Sequence, residues 1–145
     1  MYLLDTNVVS ELRKASFGKA NQAVCAWAEQ IPAASLYVSV ITILELETGI
    51  LMAERKDPVQ GKALRSWLEK VVLTAFSGRI LPFDLPTARR CAELHVPDRR
   101  PERDGFIAAT AKTHGMTVVT RNTKDFVAIG VDLINPWEYA GEMVL

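Results

Sequence analysis

Apolar residues fall along this chain in short blocks of two alternating kinds. Met1–Leu4 is an apolar run that stops at Asp5, the pattern of a strand buried on both faces. Leu36–Val40, Arg79–Phe83, Met116–Thr120 and Val131–Ile134 read as further strands, the last stopped by Asn135-Pro136. Pro82 marks the third of them as an edge or a strand end, because proline cannot donate to a ladder.

Between these blocks the periodicity is helical. Val8–Lys14 reads as a short polar-tipped helix, and Ala20–Gln30 as a second one ended by Pro32. A third helix is predicted over 42–55, carrying Leu44, Leu46, Ile50 and Leu51. Asp57-Pro58 then supplies an N-cap and a first-turn proline. Behind it Ala63, Leu64, Trp67, Leu68, Val71 and Val72 line one face of a helix over 58–75. Asp84 caps a helix through His95, Val96–Glu102 is a proline-bounded loop, and Asp104–His114 is a helix closed by Gly115. Asn122–Asp125 reads as a polar turn.

Strands alternating with helices predict an α/β fold with a mostly parallel sheet of about five strands. The 145 residues suit a single domain over 1–145, without linker, repeat or low-complexity segment. In open sheets of this kind, ligands bind beyond the carboxyl ends of the strands. That is where the candidate chemistry falls. Asp5 follows the first strand, Glu45 the second and Asp125 the fourth, and Asp104 opens the helix that leads into the fourth.

Each acid also has a plain structural role open to it. Asp5-Thr6-Asn7 suits a turn, Thr42-x-x-Glu45 matches a capping box, Asp104 suits a helix N-terminus, and Asp125 suits an exposed loop. Taken together, four carboxylates on one rim repel one another and call for a compensating cation. With no histidine or cysteine among them, the donor set suits a hard ion, Mg²⁺ or Mn²⁺, rather than Zn²⁺. Such an ion activates water and offsets charge on a leaving oxygen, both of which phosphodiester hydrolysis needs.

Composition narrows the alternatives. Lys+Arg and Asp+Glu are both 17, so a protein that coats nucleic acid through a basic excess is disfavoured. Cys25 and Cys91 form no paired motif and read as small buried side chains in a reducing setting, and His95 and His114 are too far apart for a metal cage. An aspartate at position 5 and the lack of an 18-residue apolar run leave no signal peptide or membrane span to expect, which favours a cytoplasmic protein. Asn7 stands where a haloacid-dehalogenase-type phosphatase needs a second aspartate. No glycine-rich loop follows the first strand, as a dinucleotide-binding domain would require.

The strings LLDTNVVSEL, VSVITILELETG and RDGFIAATAKTHGMTVVTRNTKDF, with the terminal GVDLINPWE, resemble the PIN-domain family in its VapC/FitB-like branch. The resemblance spans nearly the whole chain. It implies a three-layer α/β/α fold and a Mg²⁺- or Mn²⁺-dependent endoribonuclease, usually dimeric, held inactive by a co-expressed antitoxin. Asp5, Glu45, Asp104 and Asp125 match the family's acidic positions, and Thr6 and Asn122 match polar positions that orient carboxylates or hold waters. The fourth acid is the least constrained, because either of two places in that turn, here Asn122 and Asp125, can serve.

Arg99, Arg100 and Arg103 precede Asp104 and Arg121 and Lys124 flank Asp125, as a solvated loop or as contacts to an RNA backbone near the acids. Single-stranded or structured RNA is the substrate class expected. Trp27 and Trp67 read as core, and Trp137 as packing the C-terminus or facing a partner. Glu47, two positions from Glu45 on a helix, is expected to face solvent or an interface. The helices over 42–55 and 58–75 hold more apolar residues than one small core needs, which suggests a homodimer face and a groove for an antitoxin segment. Through that antitoxin a higher-order complex on DNA is also expected. The rival reading is a non-catalytic PIN-like module that binds RNA or a partner without turnover.

Overall fold

The computed structural model describes residues 1–141, so the last four positions of the expected 1–145 domain lie outside the described residues. The strands are β1 (Tyr2–Leu4), β2 (Leu36–Ser39), β3 (Ile80–Leu81), β4 (Thr117–Val119) and β5 (Leu133–Ile134). They form one sheet in the order β3-β2-β1-β4-β5, and every pairing is parallel. β3 is an edge strand, consistent with Pro82 immediately after it. The order reverses between β1 and its two neighbours β2 and β4, which opens a crevice at the carboxyl end of the central strand.

Eight α-helices surround the sheet among the described residues: α1 (Thr6–Arg13), α2 (Gln22–Glu29), α3 (Val40–Lys56), α4 (Pro58–Trp67), α5 (Leu73–Ala75), α6 (Leu85–Leu94), α7 (Glu102–His114) and α8 (Thr123–Val127). Side chains alternate across each strand, so neighbouring residues serve different cores. Leu4, Val38 and Val119 face a cluster with Val8 and Val9 of α1, Trp27 of α2, and Leu46 and Ile50 of α3. Leu3 and Val118 face Ile107, Ala108 and Ala111 of α7 and Phe126 of α8. Helices thus cover both faces, in the three-layer arrangement expected.

Several boundaries differ from the sequence reading. α3 begins at Val40, directly from β2, because Ser39 Oγ accepts from the backbone N–H groups of Ile41 (3.0 Å) and Thr42 (3.3 Å). The helix predicted over 58–75 is split. Leu68–Val72 is a π-helical turn between α4 and α5, with Leu68 and Val72 buried. α7 begins at Glu102 after Pro101, so Asp104 is its third residue rather than its first. Asn122–Asp125 is not a simple turn, since Asn122 leads into α8.

α3 and α4 form a tight hairpin. Asp57 caps α4 through the N–H of Gln60, and a Cβ on Gly61 would lie 2.5 Å from Glu54 Cα. Arg65 pairs with Glu54 (3.2 Å), with Glu69 (3.8 Å) and closely with Glu47, which accounts for Glu47 as a structural residue of this hairpin. Trp27 is buried as expected. Trp67 and Cys25 are only partly buried, each on a helix face that no other described element fully covers.

Candidate active site

The four sequence-selected acids stand on one rim at the carboxyl ends of β1, β2 and β4. Asp5 is the N-cap of α1: its Oδ1 accepts from the N–H of Thr6 at 2.8 Å, and its own N–H donates to Val119 O at 2.9 Å. Its other oxygen, Oδ2, accepts from Thr120 Oγ1 at 2.7 Å and from Asn7 Nδ2 at 3.3 Å. The side chain is almost fully buried (6% exposed), and burial pushes its carboxyl above the ordinary aspartate range. The hydrogen bonds from Thr120 and Thr6 act against that rise, and the neighbouring Glu45 adds to it.

Glu45 does not close a capping box on Thr42. It reaches sideways: Thr6 Oγ1 donates to its Oε1 at 2.6 Å, and Thr6 Oγ1 lies 3.1 Å from the buried Thr42 Oγ1. The physical reason is that Ser39 already occupies the capping position, so Thr42 and Glu45 turn toward α1. Its second oxygen lies 3.5 Å from Arg103 Nη1.

Asp104 carries the clearest electrostatic signature. Its carboxyl is pushed up to about 6, first by burial and then by repulsion from Asp5, Asp125 and Glu45. One side chain therefore senses all three other acids, although they lie up to 99 positions away in sequence (104 minus 5). Asp125 on α8 is held by Asn122, whose Nδ2 donates to Asp125 Oδ2 at 2.6 Å. Both residues that compete for the fourth place are thus at the site, with Asp125 as the charge and Asn122 as its hydrogen-bond donor.

Among the described residues no group of three or more His, Cys, Asp or Glu side chains is arranged so that it could hold a metal ion. The donor type still suits a hard divalent ion, since all are carboxylate oxygens, and burial followed by mutual repulsion raises the proton affinity of Asp104. Mg²⁺ in particular is commonly held through one or two carboxylates and several waters. His95 and His114 do not take part.

The five basic residues separate. Arg103 alone among them contacts an acid of the site among the described residues. Arg121 lies over the Trp137 ring at 5.2 Å, and Lys124 is exposed on α8. Arg99 and Arg100 line a different concavity, between α6 and α7.

Sequence reasoning overlooked Thr120, Asn7 and Thr42. Thr120, fully buried, joins Asp5 to the β4–α8 connection: it donates to Asp5 and accepts from the N–H of Asn122 at 2.9 Å. Asn7 Oδ1 accepts from the N–H of Arg121 at 3.3 Å. A readable signal was the hydroxyl residue ending an otherwise apolar strand.

Comparison with known proteins places the chain in a family. The family model described as "PIN domain" matches residues 2–131. "VapC ribonuclease Y4jK" of Sinorhizobium fredii is 43% identical over 148 residues, covering 97% of this chain and 100% of that protein. "Toxin FitB" of Neisseria gonorrhoeae is 40% identical over 144 residues, covering 94% and 99% respectively. The solved "Structure of FitAB bound to IR36 DNA fragment" superposes with a TM-score of 0.84 at 38% identity, covering 94% of this chain and 96% of that one. The family model and these relatives agree with the fold: the chain belongs to the PIN-domain family, alongside relatives named VapC and FitB.

Proposed function

We propose that this protein is a metal-dependent endoribonuclease, the toxin of a toxin–antitoxin pair, and that Asp5, Glu45, Asp104 and Asp125 are its catalytic and metal-holding residues. The observation that carries the reading is the placement of Asp5, Glu45, Asp104 and Asp125 at one end of the parallel sheet, where Asp104 is raised first by burial and then by the other three acids. The names of the relatives, a VapC ribonuclease and the toxin FitB, support the same assignment.

A bound Mg²⁺ or Mn²⁺ would supply an activated water and a counter-charge for the leaving oxygen. Asp5 is held rigid by Thr6, Thr120 and Asn7, so its oxygens are pre-oriented toward the crevice. Thr6 fixes Glu45, and Asn122 fixes Asp125. Arg103, Arg121 and Lys124 flank this rim and give an RNA backbone local positive charge without a basic excess overall. Arg99 and Arg100 stand apart from this rim, in the concavity between α6 and α7.

The antitoxin has a matching surface. A groove of about 310 Å³ runs from Thr6 and Glu45 past Ile50 and Leu64 to Trp67, so a segment lying in it reaches the acids. Exposed Leu44, Leu51 and Met52 on α3 suit a homodimer face. The FitAB structure with DNA supports a higher-order complex on DNA through the antitoxin. Among the described residues no helix is long and apolar enough to cross a membrane. We place the working protein in the cytoplasm, as one domain over 1–145.

The test uses purified protein free of antitoxin, a varied single-stranded RNA pool, and Mg²⁺ or Mn²⁺ against EDTA. Metal-dependent cleavage is expected, lost in both Asp5→Asn and Asp104→Asn. Folded wild-type protein that binds RNA and metal but cuts nothing would favour a non-catalytic binding module instead.

A further inference from the structure

α6 and α7 enclose a second concavity of about 450 Å³, within the range of small-molecule sites. Its lining combines Phe83 and Phe106 with His95, Arg99, Arg100 and Glu102. Glu102 and Phe106 lie two positions before and after Asp104 on α7, so this concavity opens on the side of the helix turned away from the acids. A helix is about 10–12 Å across. A strand leaving the acid rim covers that in a few nucleotides at about 3.4 Å or more each.

Three features make it a built site rather than a gap. Phe83 and Phe106 pack edge-on, with ring centroids 4.9 Å apart and planes at 62°, and both remain partly exposed. The His95 ring is fixed: its Nδ1 accepts from the N–H of Arg100 at 3.1 Å, and its Nε2 lies 3.8 Å from Cys91 Sγ. Gly105 completes the seat, because a Cβ there would approach the ring to 3.1 Å. The Arg100 guanidinium has no ion pair among the described residues, and its Nε is buried without a hydrogen-bond partner. Buried donors without acceptors are rare, because losing water without gaining a partner is costly.

We propose that this concavity binds one nucleotide of the RNA strand that flanks the cleavage rim. The base stacks on the Phe83–Phe106 wall, as single-stranded nucleic acids stack on exposed aromatic rings. The phosphate takes the Arg100 guanidinium, turned slightly to meet it, with Arg99 at the mouth. Arg99 and Arg100 would thus select the strand at a distance from the reacting phosphate. The proposal rests on the ribonuclease reading, since it assigns the site to that enzyme's substrate.

The chain has two histidines, which makes the test direct. The full-length protein carrying ¹⁵N-histidine is titrated at fixed pH, without divalent metal, with the four ribonucleoside 5′-monophosphates and separately with inorganic phosphate. His95 ring signals should shift saturably with mononucleotides, while those of His114, at the far end of α7, stay still. Arg100→Gln should weaken this binding by about tenfold or more, the value of a charge-assisted hydrogen bond. Phe83→Leu should weaken mononucleotide binding and leave phosphate binding unchanged.

A silent His95, or equal shifts at both histidines, overturns the proposal. Inorganic phosphate that binds as tightly as every mononucleotide also overturns it and leaves an anion site. So does a response only to an acidic or antitoxin-like peptide, which would make the concavity a protein-docking site. RNA cleavage by the same preparation separates the two readings. Cleavage with a silent His95 refutes the nucleotide site alone, whereas a responsive His95 without cleavage refutes the nuclease and supports the nucleotide site.

Discussion

Arg103 Nη1 stands 3.5 Å from Glu45 Oε2, so a cation of this chain already rests on the acid rim. The pair is partly exposed, with side chains 53% and 25% accessible, and such pairs contribute little to stability. Its consequence is competition, because an incoming metal ion and Arg103 seek the same carboxylate.

Arg103→Gln should therefore bind Mn²⁺ more tightly than wild type, by up to about fivefold, the value of one exposed ion pair. Electron paramagnetic resonance of free Mn²⁺ measures this directly. Cleavage should fall in the same variant if Arg103 also meets the RNA backbone. Unchanged or weaker Mn²⁺ binding would show that Arg103 and the metal do not compete.

Asp104 gives a pH dependence of defined sign. Its carboxyl is raised from 3.8 to about 6 in the fold. Below about pH 4 it is protonated in both folded and unfolded chains. Between that point and about pH 6 the unfolded chain has released the proton and the folded chain retains it, so stability falls as pH rises. Metal-free wild type should lose about 1 kcal/mol relative to Asp104→Asn across this window, allowing for solvent screening. Urea denaturation at pH 4, 5, 6 and 7 in EDTA checks the trend. Millimolar Mg²⁺ should then favour wild type, by linkage to the folded state.

Thr120→Val removes the shortest hydrogen bond to Asp5 and the acceptor for the N–H of Asn122. Asp5 is then left short of a bond in a buried place, and the N–H of the more exposed Asn122 loses its acceptor, at a cost of about 1–3 kcal/mol. The urea midpoint should fall accordingly, and Thr120→Ser should restore most of it. If Val is tolerated as well as Ser, Thr120 does not hold Asp5 in place.

Gly61→Ala tests the α3–α4 hairpin, one wall of the groove beside Glu45. The added Cβ meets Glu54 backbone at 2.5 Å, so the helices must separate. A loss of about 1–3 kcal/mol is expected from overpacking. Chemical denaturation measures it, with Gly49→Ala as a control, since nothing lies within 4 Å of a Cβ there.

The identity of the elements was legible along the chain because it depends on local periodicity. Apolar runs such as Met1–Leu4 and Met116–Thr120 specify strands, and Asp57-Pro58 and Gly115 punctuate helices through their own backbone preferences. The four acids could be chosen because each lies at a strand end or helix start. Local chemistry could not show that Ser39 would take the cap and release Thr42 and Glu45 toward Thr6. Nor could it show the π-helical turn at Leu68–Val72, where burial of Leu68 and Val72 prevails over regular helix.

By itself, then, the sequence determined the α/β class, the order of elements and which carboxylates were available. Tertiary structure decided what each one touches. The order β3-β2-β1-β4-β5 brings Asp5 and Thr120 to hydrogen-bond distance across 115 positions, and lets Asp104 feel three acids from separate elements. The same packing set Arg103 on Glu45 and turned Arg99 and Arg100 to the other side of α7. Proximity between residues distant in sequence is a property of how strands pair and helices pack, and no local pattern encodes it.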